Sequence, residues 1–281
     1  MKTALIFLFF CIAQAFSAQE EESVYANGVF NFEENKPQKI FTAWARIRQS
    51  PDVKGRVSDS LQSNQQVLVL HKEDVLLKLG ERAANWYKIS YQKDNQTKEG
   101  YIWGGNLAAG YRNKNGLDFL FGLSKTVDKK DKQFNQVYPQ NIAGVKVLEG
   151  NRLIDEVSFD TGSGESLSYA AFTVESDHKL KDVEFTLKAT VSGEACGIAG
   201  YDQYILFRKD QKLTALPQLM NVGDADVYYH SEKFIFPNDK GGIPNAFILK
   251  MEEMERDDKD REKKKNSSKT YLWDGNSYRL K

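Results

Sequence analysis

Ala45-Arg46-Ile47-Arg48-Gln49-Ser50-Pro51, Val67-Leu68-Val69-Leu70, Trp86-Tyr87-Lys88-Ile89-Ser90-Tyr91 and Gly100-Tyr101-Ile102-Trp103-Gly104-Gly105-Asn106-Leu107 follow one another between Trp44 and Leu107. Each is a short apolar or alternating run, and turn-forming residues separate them, the pattern of a small, strongly bent β-barrel. Ala45 and Ile47 alternate with Arg46 and Arg48, so one side of this strand is apolar and the other carries two guanidinium groups. Pro51 and Gly55 mark the loop that follows, because Pro fixes φ and Gly permits left-handed turn geometry. Residues 57–61 form the next short element, and Ser63-Asn64-Gln65-Gln66 turns the chain into the buried run at 67–70. Residues 71–85 read as a long loop, and residues 94–99 as a polar hairpin tip.

Taken in this order, the pieces resemble a bacterial SH3 (SH3b) domain: the Arg-flanked strand leading to Pro51, the buried Val67-Leu68-Val69-Leu70 run, Trp86-Tyr87-Lys88-Ile89, and a closing Gly100-Tyr101-Ile102 followed by Leu107. Two positions depart from that family's pattern, Ser50 and Asn64, where the family usually has Gly. Asn also tolerates positive φ, so the turn at Asn64 survives. The resemblance implies a cell-wall peptide or a protein partner as ligand, held in a cleft lined by Tyr87, Tyr101 and Trp103, with Arg46 and Arg48 available to a carboxylate. Read from the residues themselves, these aromatics admit two placements. Trp86, Tyr87, Tyr91, Tyr101 and Trp103 form a shelf of flat rings for stacking a ligand, or Trp86 and Ile89 fill the barrel core with Tyr87 and Tyr91 on the alternate face.

The chain has 281 residues, a length that suits two domains, and its 41% hydrophobic content is enough to build proper cores. Lys plus Arg and Asp plus Glu both total 39, and a balance of this kind argues against broad electrostatic binding to nucleic acid or anionic membrane while leaving room for a local patch. Lys2, the apolar stretch 4–13 and the small residues Ala13, Ala15, Ser17 and Ala18 read as a secretory signal peptide over 1–18, cleaved between Ala15 and Gln19. The apolar run is shorter than the roughly 20 residues that span a bilayer, so no transmembrane segment is expected after cleavage. Phe9-Phe10 before Cys11 does not suit a lipobox. Removal of the leader leaves Cys196 as the only cysteine, so no intramolecular disulfide is expected.

Residues 19–40 read as an N-terminal linker, 41–111 as the SH3b-like barrel, and 112–281 as a second, all-β domain. In that second part the hairpin signal at Gly150-Asn151 and alternating runs such as Val183, Phe185, Leu187, Ala189 and Val191 recur without helical periodicity. The fold class is therefore all-β, a small SH3-like barrel followed by an antiparallel meander or sandwich. Residues 252–265 run from acidic to basic, an order that suits either a short helix at a hairpin tip, aligned with its dipole, or a solvated loop. Trp273-Asp274-Gly275-Asn276-Ser277-Tyr278 reads as a closing hairpin.

Chemistry is hard to locate. Cys196 precedes His230 in the order used by the NlpC/P60 peptidases that often carry SH3b domains. Its neighbours Ala195 and Gly197 belong to strand and turn, however, and not to the helix start that lowers a nucleophile's pKa. His71, His178 and His230 lack ligand spacing, and Asp224-Ala225-Asp226 lacks the glycine and distal glutamate of a calcium loop, so no metal and no cofactor are expected. The sequence thus predicts a bacterial periplasmic or secreted binding or scaffold protein that recognises peptidoglycan peptide or an envelope protein. Two alternatives stand beside it: an envelope hydrolase with its site in the second domain, and a purely structural assembly component.

Overall fold

The computed structural model describes residues 25–131, 135–161, 167–193, 195–225, 227–257, 259 and 261–281. The leader expected at 1–18 and the acidic residues after it lie outside these. The described residues form an all-β structure with antiparallel sheets, one of them a half-barrel; strands make up 66% of these residues and helix 2%, so the core is built sheet against sheet.

Six strands form the first sheet, in the order β1 (Pro37–Lys39), β4 (Gln66–Leu79), β5 (Arg82–Lys93), β6 (Gln96–Trp103), β2 (Trp44–Arg48) and β3 (Val57–Gln62). Alternation sets their faces: in β2, Ala45 and Ile47 are buried while Trp44 and Arg46 are exposed. Asn64, with φ of 70°, supplies the left-handed turn before β4, as expected of an asparagine there. Gly100 opens the Gly-Tyr-Ile run because any Cβ at that point would collide with the Ile47 side chain. The loop expected at 71–85 is instead a hairpin. β4 continues to Leu79, turns at Gly80 with φ of 60°, and pairs back along β5, with register shifts between Val69 and His71 and between Lys72 and Leu76. Those shifts break the alternation that a sequence reading depends on.

The described part of the segment read as a linker, residues 25–40, packs against this sheet. Val29, Phe30 and Phe32 are buried, and the Tyr87 hydroxyl donates to the Phe30 carbonyl at 2.7 Å while accepting from the Phe32 N–H at 3.2 Å. Asn27 ties the strap to β5 twice, its N–H donating to the Ala83 carbonyl at 2.8 Å and its side-chain oxygen accepting from the Ala83 N–H at 2.7 Å.

The second sheet runs β10 (Arg152–Asp160), β9 (Gln136–Glu149), β8 (Leu117–Asp131) and β7 (Gly110–Lys114), and Tyr111 is the second residue of β7. Gly150, with φ of 57°, makes the expected turn between β9 and β10. The third sheet has nine strands: β11 (Tyr169–Glu175), β12 (Val183–Ser192), β13 (Gly200–Arg208), β15 (Leu219–Asp224), β16 (Tyr228–Ile235), β17 (Ala246–Arg256), β18 (Glu262–Trp273) and β19 (Tyr278–Leu280) in order, with β14 (Leu213–Ala215) paired beside β13. One apolar cluster extends from Phe30 and Ile47 in the first part through Phe119 and Val145 to Phe185 and Phe207 in the third sheet. Phe119 packs edge-on against Phe185 and Phe207 with centroids 5.3 and 5.1 Å away. A second cluster gathers Phe234, Phe236, Phe247 and Trp273.

Within the acidic-to-basic run at 252–265, residues 252–256 and 262–265 are neither helix nor loop but the two arms of a β-ribbon. Glu253 stands opposite Lys265, Glu255 opposite Lys263, and Arg256 opposite Glu262. Opposite charges placed directly across an antiparallel pair favour the sheet, so the block order that resembled dipole matching serves cross-strand pairing. Among the described residues no helix is long and apolar enough to cross a membrane.

Two measurements test this packing. Tyr87→Phe keeps the ring but strands the Phe30 carbonyl and the Phe32 N–H without their buried partner, so urea denaturation is expected to show a loss of about 1–3 kcal/mol. Burial, and then the charge of Asp59 and the hydrogen bond donated to it at 3.3 Å, push the Tyr91 phenol up from 10.0 to about 12. The fold favours the neutral phenol, so this contribution to stability is complete below pH of about 10 and is lost as pH rises toward about 12. Ultraviolet titration of the folded protein is expected to show a tyrosine ionising near that upper value, and Tyr91→Phe to remove it.

Candidate functional site

The outward face of β2 carries Trp44, Arg46 and Arg48 in alternate positions. Trp44 is 61% exposed, unusual for the largest apolar side chain. Arg48 stands opposite Tyr101 of β6, and Tyr101 stands opposite Lys88 of β5, so Arg48, Tyr101 and Lys88 form a row across three strands. The Arg48 guanidinium donates to the Gly55 carbonyl at 2.6 Å, which fixes it against the loop after β2. Lys88 reaches Glu99 at 2.9 Å, and this hydrogen bond and charge hold its ammonium above the ordinary lysine range. Arg46 is exposed and has no ion pair among the described residues. The surface is therefore one large exposed ring beside two cationic forks, with a half-buried phenol at its centre.

Of the five expected site residues, the structure brings Arg46, Arg48 and Tyr101 to this face and places Tyr87 and Trp103 elsewhere. Tyr87 is wholly buried, its hydroxyl is occupied by the N-terminal strap, and burial raises its pKa. Register explains the separation: Tyr87 pairs with Ile102 and faces inward, whereas Tyr101 pairs with Lys88. Trp103 shares the parity of Tyr101 yet is only 4% exposed, because its indole N–H donates to the Leu77 carbonyl of the extended β4 arm and to the Ala84 carbonyl, each at 3.1 Å. The Arg82 guanidinium covers the ring at 5.2 Å. The expected cleft lined by all three aromatics does not form. Trp44 is the contributor the sequence reading passed over, and its signal was present: it precedes Arg46 by two residues and so shares that face.

Cys196 is exposed in the turn between β12 and β13, where Gly197 donates to the Gly223 carbonyl at 2.9 Å. No histidine hydrogen-bonds its thiol among the described residues. His230 is held by Glu232 at 3.1 Å, His71 by Glu34 at 2.8 Å, and His178 lies flat on Phe236 with centroids 4.0 Å apart. The cysteine–histidine pair that peptidase chemistry needs is not assembled. No group of three or more His, Cys, Asp or Glu side chains among the described residues could hold a metal ion.

Comparison of the chain with protein-family models, with curated proteins and with solved structures gives no match.

An isolated exposed thiol is expected to label fully with a maleimide in the folded protein. The labelling rate should be the same in His230→Ala, since a working pair would slow when its base is removed.

Proposed function

We propose that this protein is a non-catalytic binding module of the bacterial cell envelope, with an SH3b-like barrel that recognises an extended, carboxylate-bearing peptide and an antiparallel β domain that carries it. The observation that carries this reading is Trp44, left largely in solvent beside the unpaired Arg46 guanidinium. Trp and Arg are the side chains that most often anchor binding energy, because a rigid ring and a planar fork bury large contact area at little entropic cost. Positions 44, 46 and 48 repeat at roughly 7 Å, the spacing of alternate residues in an extended peptide. The SH3b likeness is supported by the adjacency of its two strongest pieces: Trp86-Tyr87-Lys88-Ile89 and Gly100-Tyr101-Ile102 lie on neighbouring strands, with Ile89 opposite Gly100. The leader pattern read at 1–18 supports a location in the periplasm or outside the cell, where peptidoglycan peptide and envelope proteins are the available ligands.

Pull-down of the protein on purified peptidoglycan and on envelope extract tests this directly. Retention is expected to fall about tenfold or more in Trp44→Ala and in Arg46→Ala. Thermal unfolding should be nearly unchanged, since neither side chain lies in the core. Retention that survives both substitutions would remove the face from the mechanism.

A further inference from the structure

We propose a second binding site, for a phosphate group, on the third sheet where β16, β17 and β18 run side by side. A groove of about 400 Å³ opens there, lined by Lys233, Lys250, Glu252, Asn266 and Ser268 among others. Lys233 and Lys250 stand directly opposite each other, and Ser268 stands opposite Lys250, so two ammonium groups and a hydroxyl form one row across three strands. Like charges in that position repel. Elsewhere on these strands, charges that face one another are opposite in sign: Glu253 with Lys265, Glu255 with Lys263, Arg256 with Glu262. Neither the Lys233 nor the Lys250 ammonium has an ion pair or side-chain hydrogen bond among the described residues.

The carboxylate that lines the groove is engaged elsewhere. Glu252 lies one row along, and its oxygen accepts from the Tyr229 hydroxyl at 2.5 Å. Beyond that, Lys264 is bound to Glu262 at 3.3 Å. The groove therefore offers two unmatched positive charges, the Ser268 hydroxyl and the Asn266 amide. A tetrahedral dianion has the charge to satisfy both lysines and enough oxygens to accept from all four groups, whereas a single carboxylate has only two oxygens. The site is on a different sheet from the Trp44 face, so the two stand or fall separately.

The test titrates the full chain at low ionic strength with inorganic phosphate, followed by phosphorus NMR, and sediments it in parallel with vesicles containing phosphatidic acid, a phosphomonoester, or of phosphatidylcholine alone. Saturable binding is expected, weakened about tenfold or more in the Lys233→Gln/Lys250→Gln double variant. Binding should be kept in the Lys→Arg pair and strengthened in Glu252→Gln, which removes the one nearby negative charge. Binding to free phosphate with no vesicle retention identifies a soluble phosphate. Retention on phosphatidic acid vesicles alone, lost in the double Gln variant, identifies a lipid headgroup. Equal binding by wild type and the double Gln variant in both arms, or weaker binding in Glu252→Gln, overturns the proposal.

Discussion

Exclusion of water from one continuous apolar cluster is the constraint on which the three sheets depend. Among the described residues the only cysteine, Cys196, is free and exposed, so no covalent tie joins the sheets there. Phe119 on the second sheet meets Phe185 and Phe207 on the third, and the same cluster reaches Ile47, Ile89 and Ile102 on the first. Apolar burial has no direction, and directed polar contacts set the alignment it lacks. The Tyr87 hydroxyl and the Asn27 side chain do this for the N-terminal strap. Lys146 does it from the second sheet, donating to the Phe41 carbonyl at 2.9 Å while its ammonium lies over the Phe41 ring.

With the inner faces committed to packing, function is confined to what the sheets present outward. On β2 the alternation that buries Ala45 and Ile47 necessarily projects Trp44, Arg46 and Arg48. On β16 to β18 the same rule separates a face whose charges are paired from a row in which two lysines oppose each other. Both surfaces are built on paired strands, whose backbone hydrogen bonds hold side-chain spacing more tightly than a loop would.

Strand existence was legible along most of the chain, because period-two alternation and turn formers are local signals. The Gly150-Asn151 turn, the hairpin at Asp274-Gly275 and the left-handed Asn64 all follow from such signals. Residues 71–85 were not legible as strand, since two register shifts interrupt the alternation of β4. The run at 252–265 misled for another reason: blocks of acid followed by base suit a helix dipole and a hairpin ribbon equally well, and only the partner strand distinguishes them. The candidate site was half legible. Arg46, Arg48 and Tyr101 share a face as the strand pattern allows, while Tyr87 and Trp103 belong to the interior.

By itself the sequence determined the class of structure, the inward and outward sides of β2 and most of the turns, because these depend on neighbours a few residues away. Tertiary structure decided which strand lies beside which and at what offset. That offset put Tyr87 opposite Ile102 and Tyr101 opposite Lys88, covered Trp103 with the returning arm of β4, and brought Lys233 against Lys250. A shift of one residue in pairing exchanges the two faces of a strand, and pairing is set by packing among residues far apart in the chain.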